Sequence, residues 1–227
     1  MIKKMKIGFI TGIRKEAIIL QKIPNYTESK IVWVQNKQGN AYTQANRLVK
    51  NGCNILISFG YAGALDPQLS AGDLVLPKSV IDAKDNIFRT DKELHKKISG
   101  HFSNEIALSH GRLFGSDTII WDAEEKKRVL DQYNTQTVDM ESLGVAQAAS
   151  ENNCSFLIVR AISDTAKQDL PKNTLKSINL NNNIKIGSIL LDLAKNPNEL
   201  PCLLRLAQNS QKARRCLQHV AKLGFDI

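Results

Sequence analysis

Thr137–Thr165 reads TVDMESLGVAQAASENNCSFLIVRAISDT, a short apolar strand, a helix of small residues and a longer apolar strand in direct succession. Glu141–Asn152 has the slim side chains of a helix that packs closely on a sheet, and Phe156–Ile162 has the composition of a strand. Three carboxylates stand where these elements meet: Asp139 and Glu141, with Met140 between them, at the first strand's end, and Asp164 at the second's. In open α/β sheets ligands bind beyond the carboxyl ends of strands. A single acidic residue there is most often a helix cap or a turn residue; three within one such unit point to a site.

The same alternation continues outward. Lys6–Thr11, Ile31–Val34 and Asn54–Phe59 read as strands, and Asp73–Val80 resumes a β pattern after Gly72. Ala41–Asn51 puts Ala41, Ala45, Leu48 and Val49 on one helical face before Gly52 ends it, and Glu124–Tyr133 reads as a charged, exposed helix. Asn179–Asn183 reads as a surface turn. Pro197 and Pro201 precede a basic amphipathic helix at about 200–223, with Leu203, Leu204, Leu206, Ala213, Leu217 and Val220 opposite Arg205, Lys212, Arg214 and Arg215. These elements predict a single three-layer α/β/α domain over residues 1–227 with a twisted mixed sheet.

The composition fits that class. Of 227 residues, 42% are hydrophobic and 23% charged, which excludes a disordered or fibrous chain. Cys53, Cys154, Cys202 and Cys216 lack metal-binding spacing and read as reduced thiols of a cytoplasmic protein. No segment approaches the roughly 18 to 20 apolar residues of a spanning helix. The net charge of +9 invites a nucleic-acid reading. Its lysines and arginines are scattered, however, with Lys3, Lys4 and Lys6, then Lys126, Lys127 and Arg128, then the final helix, and aromatics do not interleave with them. Nucleic acid is therefore not an expected partner.

Two glycine-containing loops follow the early strands: Thr11–Glu16, where Gly12 and a helix start offer N–H groups to an anion, and Phe59–Pro67, whose Gly60 to Gly63 admit a flat base or a sugar close to the backbone. Splitting an N-glycosidic bond puts positive charge on ribose and negative charge on the departing base, so a site needs acceptors at the sugar and an acid at the base. Glu141 suits the ribose hydroxyls, Met140 the sugar's underside, and Glu16 a water or the sugar. Asp164 suits the base, as a carboxyl whose pKa is raised by burial.

VDMES (138–142) followed by LIVRAISD (157–164) resembles the paired signature of the purine and uridine phosphorylase superfamily, which includes the methylthioadenosine/S-adenosylhomocysteine nucleosidases. KIGFITGIRKEA (6–17) and SFGYAGALDPQLSAGDLVLP (58–77) are similar to its opening strand and its central base-and-sugar loop. The resemblance implies a nucleoside phosphorylase-like fold and an enzyme with Asp164, Glu141 and Glu16 as catalytic residues. It implies that Ala62, Gly63, Ile119, Ile120, Asp139, Met140 and Ser163 contact the substrate, an adenosine-like purine nucleoside. LPKNTL (170–175) and NPNELPCLLRLAQNSQKARRCLQ (196–218) resemble more loosely the hopanoid-associated phosphorylases, linked to removal of adenine from adenosylhopane. That would give the basic final helix a role at an anionic membrane surface and the substrate a lipid tail. A homo-oligomer is also implied.

The nucleophile stays open between water and inorganic phosphate, with no metal or other cofactor expected. Many phosphorylases of this superfamily carry a Gly-Asp-Pro-x-Arg loop and an arginine at the position of Ser58. Here Gly12-Ile13-Arg14 and Ser58 stand instead, so phosphate would rest on Gly12, Arg14, Ser58 and Tyr61. Glu16 stands where the nucleosidases keep the glutamate that activates water. A non-catalytic nucleoside-binding or membrane-surface module is the alternative from another class.

Overall fold

The computed structural model describes residues 5–21, 23, 30–34, 38–172 and 196–225. Its spine is two long parallel strands side by side, β3 (Ile55–Ala64) and β10 (Ser155–Asp164), in register from Ile55↔Ser155 to Ala62↔Ile162. β1 (Ile7–Thr11) pairs in parallel with the first half of β3 and carries β2 (Lys30–Trp33) on its other edge. β9 (Thr137–Asp139) runs antiparallel to the last residues of β3 and continues the sheet through β8 (Arg112–Gly115), β5 (Ser79–Ile81) and β6 (Ile87–Arg89). Beyond β10 lie the short strands β4 (Leu74–Val75) and β7 (Leu108–Ser109). The sheet is mixed, as the alternation of elements predicts. Pro77, which has no N–H for a ladder, divides the β pattern expected over Asp73–Val80 into β4 and β5.

The period-two alternation of the central strands assigns the helices to the sheet's two faces. Ile55, Ile57, Phe59, Leu157, Val159 and Ala161 join one core with α1 (Arg14–Leu20), α3 (Lys92–Ser103) and α6 (Leu200–Leu223). Leu56, Phe156 and Ile158 join the other with α2 (Gln38–Lys50) and α5 (Ser142–Glu151). Ala41, Ala45 and Leu48 are the buried stripe of α2, as their spacing predicts. α6 begins with Pro201 in its first turn, where a missing N–H removes no helical hydrogen bond, and buries Ala213, Leu217, Val220 and Ala221. Just beyond it, Phe225 stands edge-on to Phe9, Phe59 and Phe102, with ring centroids 5.2, 6.4 and 5.5 Å away. This aromatic cluster ties the end of α6 to the strands that carry the site.

α4 (Ala123–Tyr133) departs from its expected exposed character at one position, where Lys126 is fully buried. The Asn-rich stretch 179–183, residues 173–175, and Lys3 and Lys4 lie outside the described residues. Among the described residues no helix is long and apolar enough to cross a membrane.

Candidate active site

Where β3 and β10 end, beside the short antiparallel strand β9, a cavity of about 190 Å³ opens. A β-bulge forms its floor: the pairing of β10 with β3 shifts between Ile162↔Ala62 and Asp164↔Gly63, so that Ser163 is the extra residue. Both Ser163 and Asp164 thereby reach the cavity wall. A side chain at Gly63 would be tight against its neighbours, since a Cβ on it would lie 3.0 Å from Asp164 Oδ2 and 3.2 Å from Val138.

The β9–α5 junction supplies the sugar-side groups. Asp139 Oδ1 accepts the backbone N–H groups of Glu141 (3.2 Å) and Ser142 (2.9 Å), satisfying the first amides of α5. Its Oδ2 accepts from the Ser142 hydroxyl and from Arg160 Nε at 2.5 Å. Asp139 lines the cavity, but these four donors already occupy its carboxylate, so it acts as an organiser of the turn that projects Met140 and Glu141. Glu141 Oε2 lies 3.8 Å from Arg160 Nη2. Burial and the neighbouring Asp139 carboxylate push the Glu141 pKa up to about 8, against the pull of Arg160.

Arg160 is the site's main organiser that the sequence reading left unassigned. It lies mid-way along β10, fully buried, and its Nη2 donates to Ser58 Oγ (2.7 Å) and Ser142 Oγ (3.1 Å). Burial opposes its charge, yet Asp139, Glu141 and Glu16 outweigh that effect and raise its pKa further above the usual arginine value. Nη1 alone has no hydrogen-bond partner among the described residues. The signal was present in LIVRAISD: an arginine inside an apolar strand must be paired where it is buried.

Glu16 comes from the opposite side, off the first turn of α1. Its Oε2 accepts the Ile13 N–H and its Oε1 the Tyr61 N–H, both at 2.9 Å, so it straps the β1–α1 loop to β3. The helix start expected to receive an external anion thus already has this carboxylate at it. Burial raises the Glu16 pKa, opposed by Arg160 and by the backbone N–H groups. Gly60 is the point of closest approach: a Cβ there would lie 2.5 Å from Glu16 Oε1 and 2.8 Å from Arg160 Nη1. Glu16 and Arg160 thus close on the Gly60 backbone and leave no room for a side chain at that position.

At the opposite end Asp164 is nearly buried, with Oδ1 accepting from Ser163 Oγ (3.0 Å) and Oδ2 in an ion pair with Lys126 Nζ (2.6 Å). The expected isolated buried carboxyl is therefore a compensated one. The cavity brings together Glu16, Tyr61, Ala62, Gly63, Ile119, Ile120, Asp139, Met140, Glu141, Ser163 and Asp164. The four residues assigned to phosphate separate. Tyr61 lines the cavity, and burial pushes its hydroxyl up to about 12, so it stays protonated. Gly12 does not line it, Arg14 is exposed, and Ser58 is buried behind it with its hydroxyl engaged by Arg160 and Ser142.

Comparison with known proteins places this geometry. The Phosphorylase superfamily model matches residues 10–185, which include every element of the cavity. The chain belongs to the Phosphorylase superfamily. A superfamily relative of similar sequence is 5'-methylthioadenosine/S-adenosylhomocysteine nucleosidase of Staphylococcus aureus, 26% identical over 178 residues that cover 70% of this chain and 74% of the relative. The same fold occurs in the Neisseria meningitidis 5'-methylthioadenosine/S-adenosylhomocysteine nucleosidase in complex with methylthio-immucillin-A. That match has a TM-score of 0.73 and 15% identity, covering 96% of this chain and 97% of the other. Helicobacter pylori futalosine hydrolase matches with a TM-score of 0.70 and 15% identity, covering 94% and 96%.

Proposed function

We propose that the chain is a nucleosidase that hydrolyses the N-glycosidic bond of an adenosine-like purine nucleoside. The observation that carries this reading is the charge of the cavity lining, where Glu16 and Glu141 are buried carboxylates and the one lining cation among the described residues, Lys126, is already engaged by Asp164 and two backbone carbonyls. Water suits such a lining because it can donate a hydrogen bond to the Glu16 carboxylate. A phosphate dianion would instead meet the carboxylates of Glu16, Asp139 and Glu141 around one guanidinium, with Arg14 exposed and Ser58 already bonded. Like charges buried together are costly.

The same negative excess suits the sugar. With only its own groups, the cavity raises the Glu141 pKa to about 8. A ribose ring that gains positive charge as the bond breaks takes the place of that proton, so the site stabilises the transition state more than the bound substrate. Water attacks the anomeric carbon and passes a proton to Glu16, the carbon–nitrogen bond breaks, and its electron pair leaves on a base that is oriented by a hydrogen bond with Asp164 and takes up a proton from solvent to become the neutral purine, while Glu16 returns its proton to solvent. Glu141 holds the ribose hydroxyls above Met140. An aspartate at position 164 favours a base with a 6-amino group. The superfamily relatives named nucleosidases and hydrolases support the reaction class.

The test is base release from adenosine-type nucleosides with and without phosphate. Equal rates in phosphate-free buffer are expected, and release that requires phosphate would overturn hydrolysis in favour of phosphorolysis. A lipid-borne substrate is a second reading, favoured by the start of α6, where Leu204 is 57% exposed beside the exposed Arg205. Apolar insertion next to basic charge suits an anionic membrane surface. Sedimentation with anionic but not zwitterionic vesicles supports it, and no sedimentation with either removes it.

A further inference from the structure

Lys126 is the one fully buried residue of α4, whose other side chains are exposed or partly so. A buried lysine is tolerated where partners compensate its charge. Here each of the three ammonium hydrogens has an acceptor: Asp164 Oδ2 at 2.6 Å, the Thr165 carbonyl at 2.9 Å and the Gln168 carbonyl at 3.0 Å. The two carbonyls belong to the segment just after β10, so the ammonium also fastens that segment beneath the cavity. Lys126 and Asp164 line the same wall as Gly63, Thr118 and Ile120.

We propose that Lys126 is a positioning residue for departure of the base, fixing the orientation of Asp164 and placing an ammonium group behind it. The proposal rests on the nucleosidase reading and concerns its leaving-group end. As the glycosidic electron pair moves onto the purine, negative charge builds up on the base. The nearest protein cation to Asp164 is Lys126, while the other charged groups of the cavity, Glu16, Asp139 and Glu141, are carboxylates. With all three hydrogens held by protein acceptors, Lys126 acts as fixed charge through Asp164 and not as a proton donor. A lysine that only anchored α4 would stabilise the fold equally for every substrate; one that serves the leaving group matters in proportion to how poor that group is.

Lys126→Met, Lys126→Arg, Asp164→Asn and the Lys126→Met/Asp164→Asn double variant separate these roles. Two substrates are compared: an adenine nucleoside, and para-nitrophenyl riboside, whose aglycone departs as a stable anion. Expected is a loss of about 100-fold in kcat for Lys126→Met on the adenine nucleoside. KM should change less than about threefold, the loss on the aryl riboside should be under about threefold, and Lys126→Arg should recover a large part of the rate. In the Asp164→Asn background the second substitution should cost nothing further. Equal losses on both substrates, no loss on either, or additive losses in the double variant would overturn the proposal. If Lys126→Met alone does not fold, Asp164→Asn against the charge-balanced double variant decides it by the same criterion. Wild-type protein that releases no base from any purine nucleoside would sink the nucleosidase reading itself; a wild type that is active beside a substrate-independent loss in Lys126→Met would sink only the role of Lys126.

Discussion

Glu141 carries the site's electrostatics in a measurable form. Its pKa rises from the ordinary 4.5 to about 8, so its proton-linked contribution to stability is complete below pH 4.5 and is lost as pH rises towards 8. Burial lowers the His95 pKa from 6.5, which has the opposite sign, with stability lost as pH falls through that region. Between pH 6.5 and 8 the Glu141 effect is therefore unopposed by His95, and Glu16, whose pKa is also raised, acts in the same direction as Glu141. Urea unfolding over this window should show falling stability in the wild type and a shallower fall in Glu141→Gln; a flat or rising profile in the wild type would contradict the assignment. Replacing Glu16 by Gln removes the acceptor for the water proton and should lower kcat by about 100-fold or more with little change in KM. Steady-state kinetics at saturating nucleoside checks it. Asp164→Asn should likewise reduce turnover far more than it weakens binding.

The β9–α5 junction and the end of β10 form one electrostatic unit, with Arg160 of the strand bonded to the carboxylate that organises the helix start. Asp139→Ala removes both connections and leaves Arg160 buried without its closest anion. It should destabilise the protein by about 3–5 kcal/mol, read by denaturant unfolding. Loss under about 1 kcal/mol would mean that Glu141 and Glu16 suffice to hold the guanidinium. These elements were legible in the sequence to different degrees. Phe156–Ile162 and Ala41–Asn51 were clear because apolar period and turn residues agree there. α3 was not read, although Leu94, Ile98 and Phe102 recur at helical spacing and Asp91 caps the helix by accepting the Leu94 N–H at 3.0 Å. Its many lysines hid the apolar stripe.

Over the whole molecule, the sheet's two faces and the ends of its central strands determine where chemistry is placed. The carboxylates of TVDMES and RAISD pointed to that place because residue type and strand-end position are both visible in sequence. Arg160 and Lys126 were harder to find, since what defines them is burial and a partner 21 or 38 residues away along the chain. One was an unexplained charge in a strand, and the other looked like part of a dispersed basic surface. Phe225 shows the same long-range dependence: its ring joins β1, β3 and α3 near the chain's end. Phe225→Ala should cost about 3 kcal/mol or more in unfolding free energy. Chemistry at the cavity should survive wherever the variant remains folded, as kinetics below its melting temperature will check.

The central claim, that water activated by Glu16 attacks and that the sugar leaves without a phosphate, is tested most directly by phosphorus NMR of a complete turnover of an adenine nucleoside in buffer with inorganic phosphate. The account predicts free adenine, a free sugar and an inorganic phosphate signal that does not diminish. A sugar 1-phosphate resonance growing in step with adenine release would contradict it.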